Sequence, residues 1–433
     1  MWQAGTAAVL VGSLWLLLRH LRPMQGDRLT HLAFALIWMR FALAALGPTA
    51  VQTQIAGQSL IAFGTLLAVL FVASATPLSL YRTDRATPIY VLAALGVAGT
   101  VLSGAGGALP GYVTMWVLFA ALALLLNRAY TLHGPGPVLR ALLAVFAVPL
   151  GMQLLSLVAG QPKIGPDGSL SYIGGYGHES VFAVVALGGL WVAAIQPWTD
   201  RRLAWLAVGV AVAALVLANY RTMLIAALPL LLAFALSGDR GIARRRLPGV
   251  LAVSAAGLIL LPAMLPAGVL GGVTARFAEL GTLAAEWDRF MKPPETFTAA
   301  DKNVLSARLY IWASYASAIG EARLAPLLLG HGAEAMAPGM TVHPHNEYLR
   351  VTYQHGLLGA AGLFGFVVAL AVAAGRAPSR RAGVLTAAGF AAVLLAATGT
   401  SVFDRPEGMI VMAILTATAW NLTASRAPRR RAA

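Results

Sequence analysis

Composition, mean hydropathy and the pattern of apolar runs in this sequence all point to an all-α, polytopic membrane protein. Of 433 residues, 59% are hydrophobic and only 11% are charged, against roughly 25% charged in soluble domains. Mean hydropathy is +0.75. Thirteen apolar runs, most of them within the ~17–25 residues that cross a bilayer as a helix, follow one another along the chain. Lipid offers backbone polar groups no water, so each run is expected to be helical.

The runs cover residues 2–18, 29–47, 56–75, 87–106, 110–127, 138–159, 179–196, 203–219, 222–237, 247–268, 356–374, 383–400 and 408–424. Gly, Pro and Ser between them mark the turns. The first run lacks a basic leader and a small-residue cleavage site and is read as a retained helix. It is short, so twelve or thirteen spans are expected. Residues 1–268 form an N-terminal set of transmembrane helices, 269–355 a large loop on one face, and 356–433 a C-terminal set with a basic tail.

A net charge of +15 and a pI near 10.8 would suggest a nucleic-acid partner in a soluble protein. Here the charge divides by face. Alternate loops and the tail hold 20 Lys and Arg against 4 Asp and Glu; the other face holds 11 against 12. Basic loops stay in the cytoplasm, so the C-terminus is placed there, the N-terminus outside if all thirteen runs span, and nucleic acid is not expected as a partner. No cysteine is present, which excludes disulfides, thiolate metal sites and a Cys nucleophile.

The outer face is the informative one. Residues 160–178 form a Gly/Pro-rich polar loop, and residues 269–355 a loop far longer than a connection needs. Leu309, Trp312, Tyr315 and Ile319 recur at helical spacing, predicting a helix over Ala307–Ile319 capped by Ser306. A second helix is expected from near Pro344 into the eleventh run, with Leu329-Gly330-His331-Gly332 as a turn between them.

Charged groups within spans are functional candidates, and Arg40 qualifies. It either snorkels to the outer interface or reaches an aqueous cleft. The scarcity of mid-membrane carboxylates argues against a proton-coupled transporter. Arg221, in the turn Asn219-Tyr220-Arg221-Thr222, is either a topological charge or a phosphate ligand, because guanidinium pairs with phosphate through two parallel hydrogen bonds. Arg308, in the first turn of the loop helix, is either a solvated charge or a second such ligand. His343, His345 and His355 fall within 13 residues. A metal held by His343 and His345 is one reading, and Glu286-Trp287-Asp288 is a loose acidic pair. Without a zincin-like spacing, a general base is the better one, since neutral imidazole accepts a hydroxyl proton near pH 7. Neither a nucleophile elbow nor a Walker-type phosphate loop occurs.

His345-Asn346, nine residues, then Gly356-Leu357-Leu358-Gly359 matches the H-[NSQ]-x9-G-x-x-[GTY] signature of O-antigen ligases. With Ser306 to Trp312 and the Pro326-to-Gly332 turn, the chain resembles the O-antigen ligase and polymerase superfamily, most sharply over residues 300–360 and more loosely over 170–225. The resemblance implies a GT-C-like glycosyltransferase of the bacterial inner membrane with its active site facing the periplasm. It implies a donor glycan on undecaprenyl diphosphate, a sugar hydroxyl of lipid A–core as acceptor, inversion at the anomeric carbon, and neither metal nor cofactor. It makes His345 the base and Arg221 and Arg308 the diphosphate ligands. Arg40, His343, Asn346 and Tyr348 are expected beside them in the substrate site. His178 and Glu179 either contact the acceptor sugar or cap a helix. A polymerase, a protein O-oligosaccharyltransferase and a polysaccharide flippase are the alternatives. Relatives commonly have about twelve spans and Asn-rich residues entering the seventh, where this chain reads Gly174-Gly175-Tyr176-Gly177-His178-Glu179-Ser180.

Overall fold

The computed structural model describes residues 2–55, 58–165, 168–237, 292–299, 301–303 and 307–424. Among these the chain is mostly helical, as expected of an all-α membrane protein. Nine helices cover the first nine apolar runs: α1 Trp2–Leu21, α2 Arg28–Ala45, α3 Leu60–Ala75, α4 Thr87–Leu102, α5 Leu109–His133, α6 Pro135–Val158, α7 Glu179–Ile195, α8 Arg201–Leu217 and α9 Arg221–Leu236. The long loop carries α10 Arg308–Gly320 and α11 Leu324–Leu329. Then come α12 Glu347–Gly375, α13 Arg380–Ala396 and α14 Pro406–Ala424. Six segments, including α12, are long and apolar enough to cross a membrane, and α3, α7 and α9 are shorter apolar helices. The run at 247–268, Ser306, Glu286-Trp287-Asp288 and the tail arginines lie outside the described residues.

Local chemistry accounts for the helix ends. Asp27, Ser59, Asp200 and Asn346 accept a hydrogen bond from a first-turn amide of α2, α3, α8 and α12, satisfying donors that a helix start leaves open. Gly134, at φ 74°, makes the tight reversal from α5 to α6. At the centre, α7 is buried along nearly its whole length and α14 from Glu407 to Trp420, as a helix enclosed by others must be. Small residues let the helices close up: a Cβ on Gly188 would strike Val411, and one on Gly389 would strike Trp191.

The bundle has two chemically different ends. At one, Arg85 donates to the Trp420 carbonyl, Arg381 to that of Ala194, and Arg128 and His133 clasp Asp27. Burial works to raise the Asp27 pKa, but hydrogen bonds from Thr30, Arg128 and His133 outweigh it and hold the carboxyl below its ordinary range. At the other end the C-terminus of α2, the starts of α7, α9, α12 and α14, and the long loop come together.

Two expectations about that loop need adjustment. The predicted helix begins at Arg308, with Ala307 before it in the left-handed region at φ 65°. The next helix starts at Glu347 because Asn346 caps it, and it does not run unbroken into the membrane. Gly356, at φ 67° and ψ −177°, interrupts α12. The break frees the carbonyls of Tyr353 and Gln354, which accept from the amides of His331 and Gly332. A Cβ on Gly356 would lie 2.3 Å from Leu328, and one on Gly330 2.1 Å from the Gln354 oxygen. The glycines of the two segments are therefore the surfaces along which α11 and α12 touch.

Candidate active site

Backbone conformation singles out the region first. Among the described residues, four non-glycines have positive φ: Asn219, Ala307, Glu334 and His345. Asn219 precedes Tyr220-Arg221, Ala307 precedes Arg308, and His345 is itself the fourth. Left-handed backbone is costly for residues with a Cβ and concentrates at functional sites.

Side-chain hydrogen bonds hold the strained positions at His345 and Asn219. Trp312 and Tyr315 on α10 donate to the carbonyls of Pro344 (2.7 Å) and Val342 (3.1 Å), pinning the segment that leads into His345. Tyr315 is wholly buried, so the aromatic spacing of α10 serves to grip this segment. The Asn219 side-chain amide donates to the Leu170 carbonyl at 3.2 Å. The hydroxyl of Tyr220 donates to the Gly399 carbonyl and accepts from Arg308 Nη2 at 3.2 Å, while the guanidinium lies 5.7 Å from the Tyr220 ring centre. Arg308 is thereby tied to the turn that carries Arg221, the first residue of α9.

His345 stacks on His178, with ring centres 6.0 Å apart and planes 22° from parallel. Among the described residues its ring makes no hydrogen bond, so both nitrogens remain available. Burial, then the charges of Arg308 and the nearby imidazoles, and that of Arg405, push its pKa down to about 4, so at neutral pH it is an unprotonated base. His178 is lowered too, by burial first. Its Nδ1 accepts from the Ser180 amide at 3.1 Å, making it the N-cap of α7. Glu179 binds Lys163 Nζ at 3.1 Å. The glycines before His178 let this corner close: Gly175 lies against the Ala45 carbonyl and Gly174 against Met152 and Gln153.

The other expected residues are occupied in specific ways. The Asn346 side chain caps α12 through the Leu349 amide at 3.2 Å. Tyr348 donates to the Leu394 carbonyl at 2.9 Å and stacks on Phe364, its ring centre 4.4 Å away, so it joins α12 to α13. His343 lies 3.3 Å from Glu334 through Nε2 and 3.4 Å from Gln354 through Nδ1. The hydrogen bond with His343 holds the Glu334 carboxyl below its ordinary pKa. Arg40 departs most from expectation. It reaches neither interface nor cleft but pairs inside the bundle with Glu407 at 2.8 Å, both side chains over nine-tenths buried.

Two features escaped the sequence reading. Arg350 is buried between Glu347 and Asp404, and Glu347 also accepts from the Phe403 amide at 3.4 Å, so these contacts tie α12 to the 401–405 segment. Arg405, just before α14, has a side chain 60% exposed and, among the described residues, forms one ion pair, with Asp404 at 3.9 Å. Its field reaches both His345 and His178. The available signal was the scarcity of arginine on this face. Among the described residues no three His, Asp or Glu side chains converge as a metal-ligand set. Chemically the site presents an unprotonated imidazole among guanidinium groups, which suits a mobile hydroxyl proton beside a polyanion. Compared with known protein families and with curated proteins, the chain matches none of them.

Proposed function

We propose that the chain is an inverting membrane glycosyltransferase of the O-antigen ligase type, moving a glycan from undecaprenyl diphosphate onto a sugar hydroxyl of lipid A–core. The observation that carries the reading is the pairing of His345, held unprotonated in a left-handed backbone, with Arg308, tied through Tyr220 to the turn of Arg221. By the positive-inside rule the end rich in arginine faces the cytoplasm and the His345 end the periplasm.

In this reading Arg221 and Arg308 bind the diphosphate, and Arg405 adds a third positive charge. His345 takes the acceptor hydroxyl proton as that oxygen bonds to the anomeric carbon. The carbon–oxygen bond to diphosphate breaks on the opposite face, and the leaving group departs with the electron pair. Cations aimed at the charge developing on it lower the barrier, and diphosphate needs no proton to leave. Burial depresses the His345 pKa whether or not the site is filled, and the further part contributed by Arg308 and Arg405 is conditional on the site being empty. Bound diphosphate offsets Arg308 and Arg405 and raises the imidazole toward the pH at which a general base works best. His178, stacked on His345, and Glu179, held by Lys163, stand where the acceptor approaches.

Deletion of the gene tests the reading in cells. A ligase null keeps lipid-linked polymer and loses the polysaccharide ladder on lipid A–core. A core capped by one repeat unit would indicate a polymerase instead, and unchanged lipopolysaccharide with unglycosylated secreted protein a protein transferase.

A further inference from the structure

A cavity lies at the opposite end from His345. It is a groove of about 580 Å³ between α1, α2 and α3, within the ~300–1,000 Å³ of ligand sites. Its walls are apolar except at one end, where Arg22, Gln25 and His31 stand together. Along α1 it runs from Leu14 to Leu21, about 10 Å at the helical rise, and continues past the helix end to Arg22 and Gln25, a depth that fits within half of the ~30 Å hydrocarbon core. The inner end is closed by Trp38 donating to Ser13 across α1 and α2 at 3.1 Å. Leu18 and Phe71, lining it, are 56% and 63% exposed, so the groove opens sideways into the hydrocarbon. Among the described residues Arg22 forms no ion pair, and the His31 ring makes one hydrogen bond, with the Leu21 carbonyl at 3.4 Å.

We propose that this groove binds one anionic phospholipid from the leaflet at the arginine-rich end, an acyl chain along α1 and the phosphate at Arg22 and Gln25. Depth, apolar walls and a cation at the mouth together describe a single-leaflet lipid. Water is a poor occupant of an apolar cavity, and a soluble anion would leave the walls bare. The site is separate from the His345 chemistry and does not depend on the proposed reaction.

Native mass spectrometry of the delipidated full-length protein, re-exposed to equal phosphatidylglycerol and phosphatidylethanolamine, tests it. One retained phosphatidylglycerol per chain is expected. Ala35→Trp, which fills the groove, abolishes retention; Leu206→Trp, on an exposed face of α8, leaves it intact. Arg22→Gln lowers the preference for phosphatidylglycerol about fivefold, the effect of one arginine near a charged lipid surface. If Ala35→Trp lowers the melting temperature, Leu18→Trp at the open rim decides instead. Equal retention by wild type and groove-filled protein would leave only annular lipid and overturn the proposal. A dimer that Ala35→Trp dissociates would overturn it too, by making a second copy the occupant.

Discussion

His345 holds φ at 47°, a conformation costing roughly 1–2 kcal/mol for a residue with a Cβ. The cost is met by Trp312 and Tyr315, which grip the carbonyls just before it. His345→Ala is expected to lower turnover by at least ~100-fold, the usual share of a general base, with unchanged insertion and melting. Size-exclusion profiles alongside a transfer assay check both halves. The pH dependence has a definite sign. Protonation removes the base, so activity falls as pH falls through the His345 pKa. With that pKa at about 4 in the empty site, kcat/KM holds its value down to near pH 4. The diphosphate raises the pKa in the complex, so the acid limb of kcat lies at higher pH than that of kcat/KM. The reverse order would contradict the charge balance assigned to Arg308 and Arg405. Histidine density, Arg221 and Arg308 were legible in the sequence. The left-handed backbone under His345 was not, because neither His nor Ala announces it as Gly would.

Among the elements, α12 shows where reading by hydropathy stops. Its apolar run was visible, and so was the spacing from His345 to Gly356. The break was not, since one glycine in an apolar run is compatible with an unbroken helix. What demands the break is α11, whose backbone occupies the space a Gly356 Cβ would need. Gly356→Ala is expected to cost at least about 2 kcal/mol and, by releasing His331 and Gly332 from the freed carbonyls, to lower activity as well. Gly365→Ala, lower on the same helix where a Cβ meets nothing within 4 Å, is expected to stabilise by about 0.5–1 kcal/mol. Thermal melts of the two variants in detergent check the contrast.

Across the whole molecule, the apolar runs foretold the helices, while the ties between distant segments had no sequence signature. Arg40 and Glu407 illustrate this. The arginine stood out as a charge in a span, but its partner lies at the start of the last helix and only folding brings them together at 2.8 Å. Removing one partner of such a buried pair costs about 3–5 kcal/mol, whereas replacing both with apolar side chains is often neutral or stabilising. Arg40→Met is therefore expected to melt well below wild type, and Arg40→Met with Glu407→Leu to recover. Activity that returns with stability in the double variant assigns Arg40 to the frame; activity that stays lost assigns it to the diphosphate. Purified protein reconstituted with an undecaprenyl diphosphate-linked glycan and lipid A–core in EDTA provides the decisive test of the proposed transfer. Wild type is expected to join glycan to lipid A–core, and His345→Ala to abolish the transfer. No transfer without added divalent cation, or equal transfer by the two proteins, would contradict it.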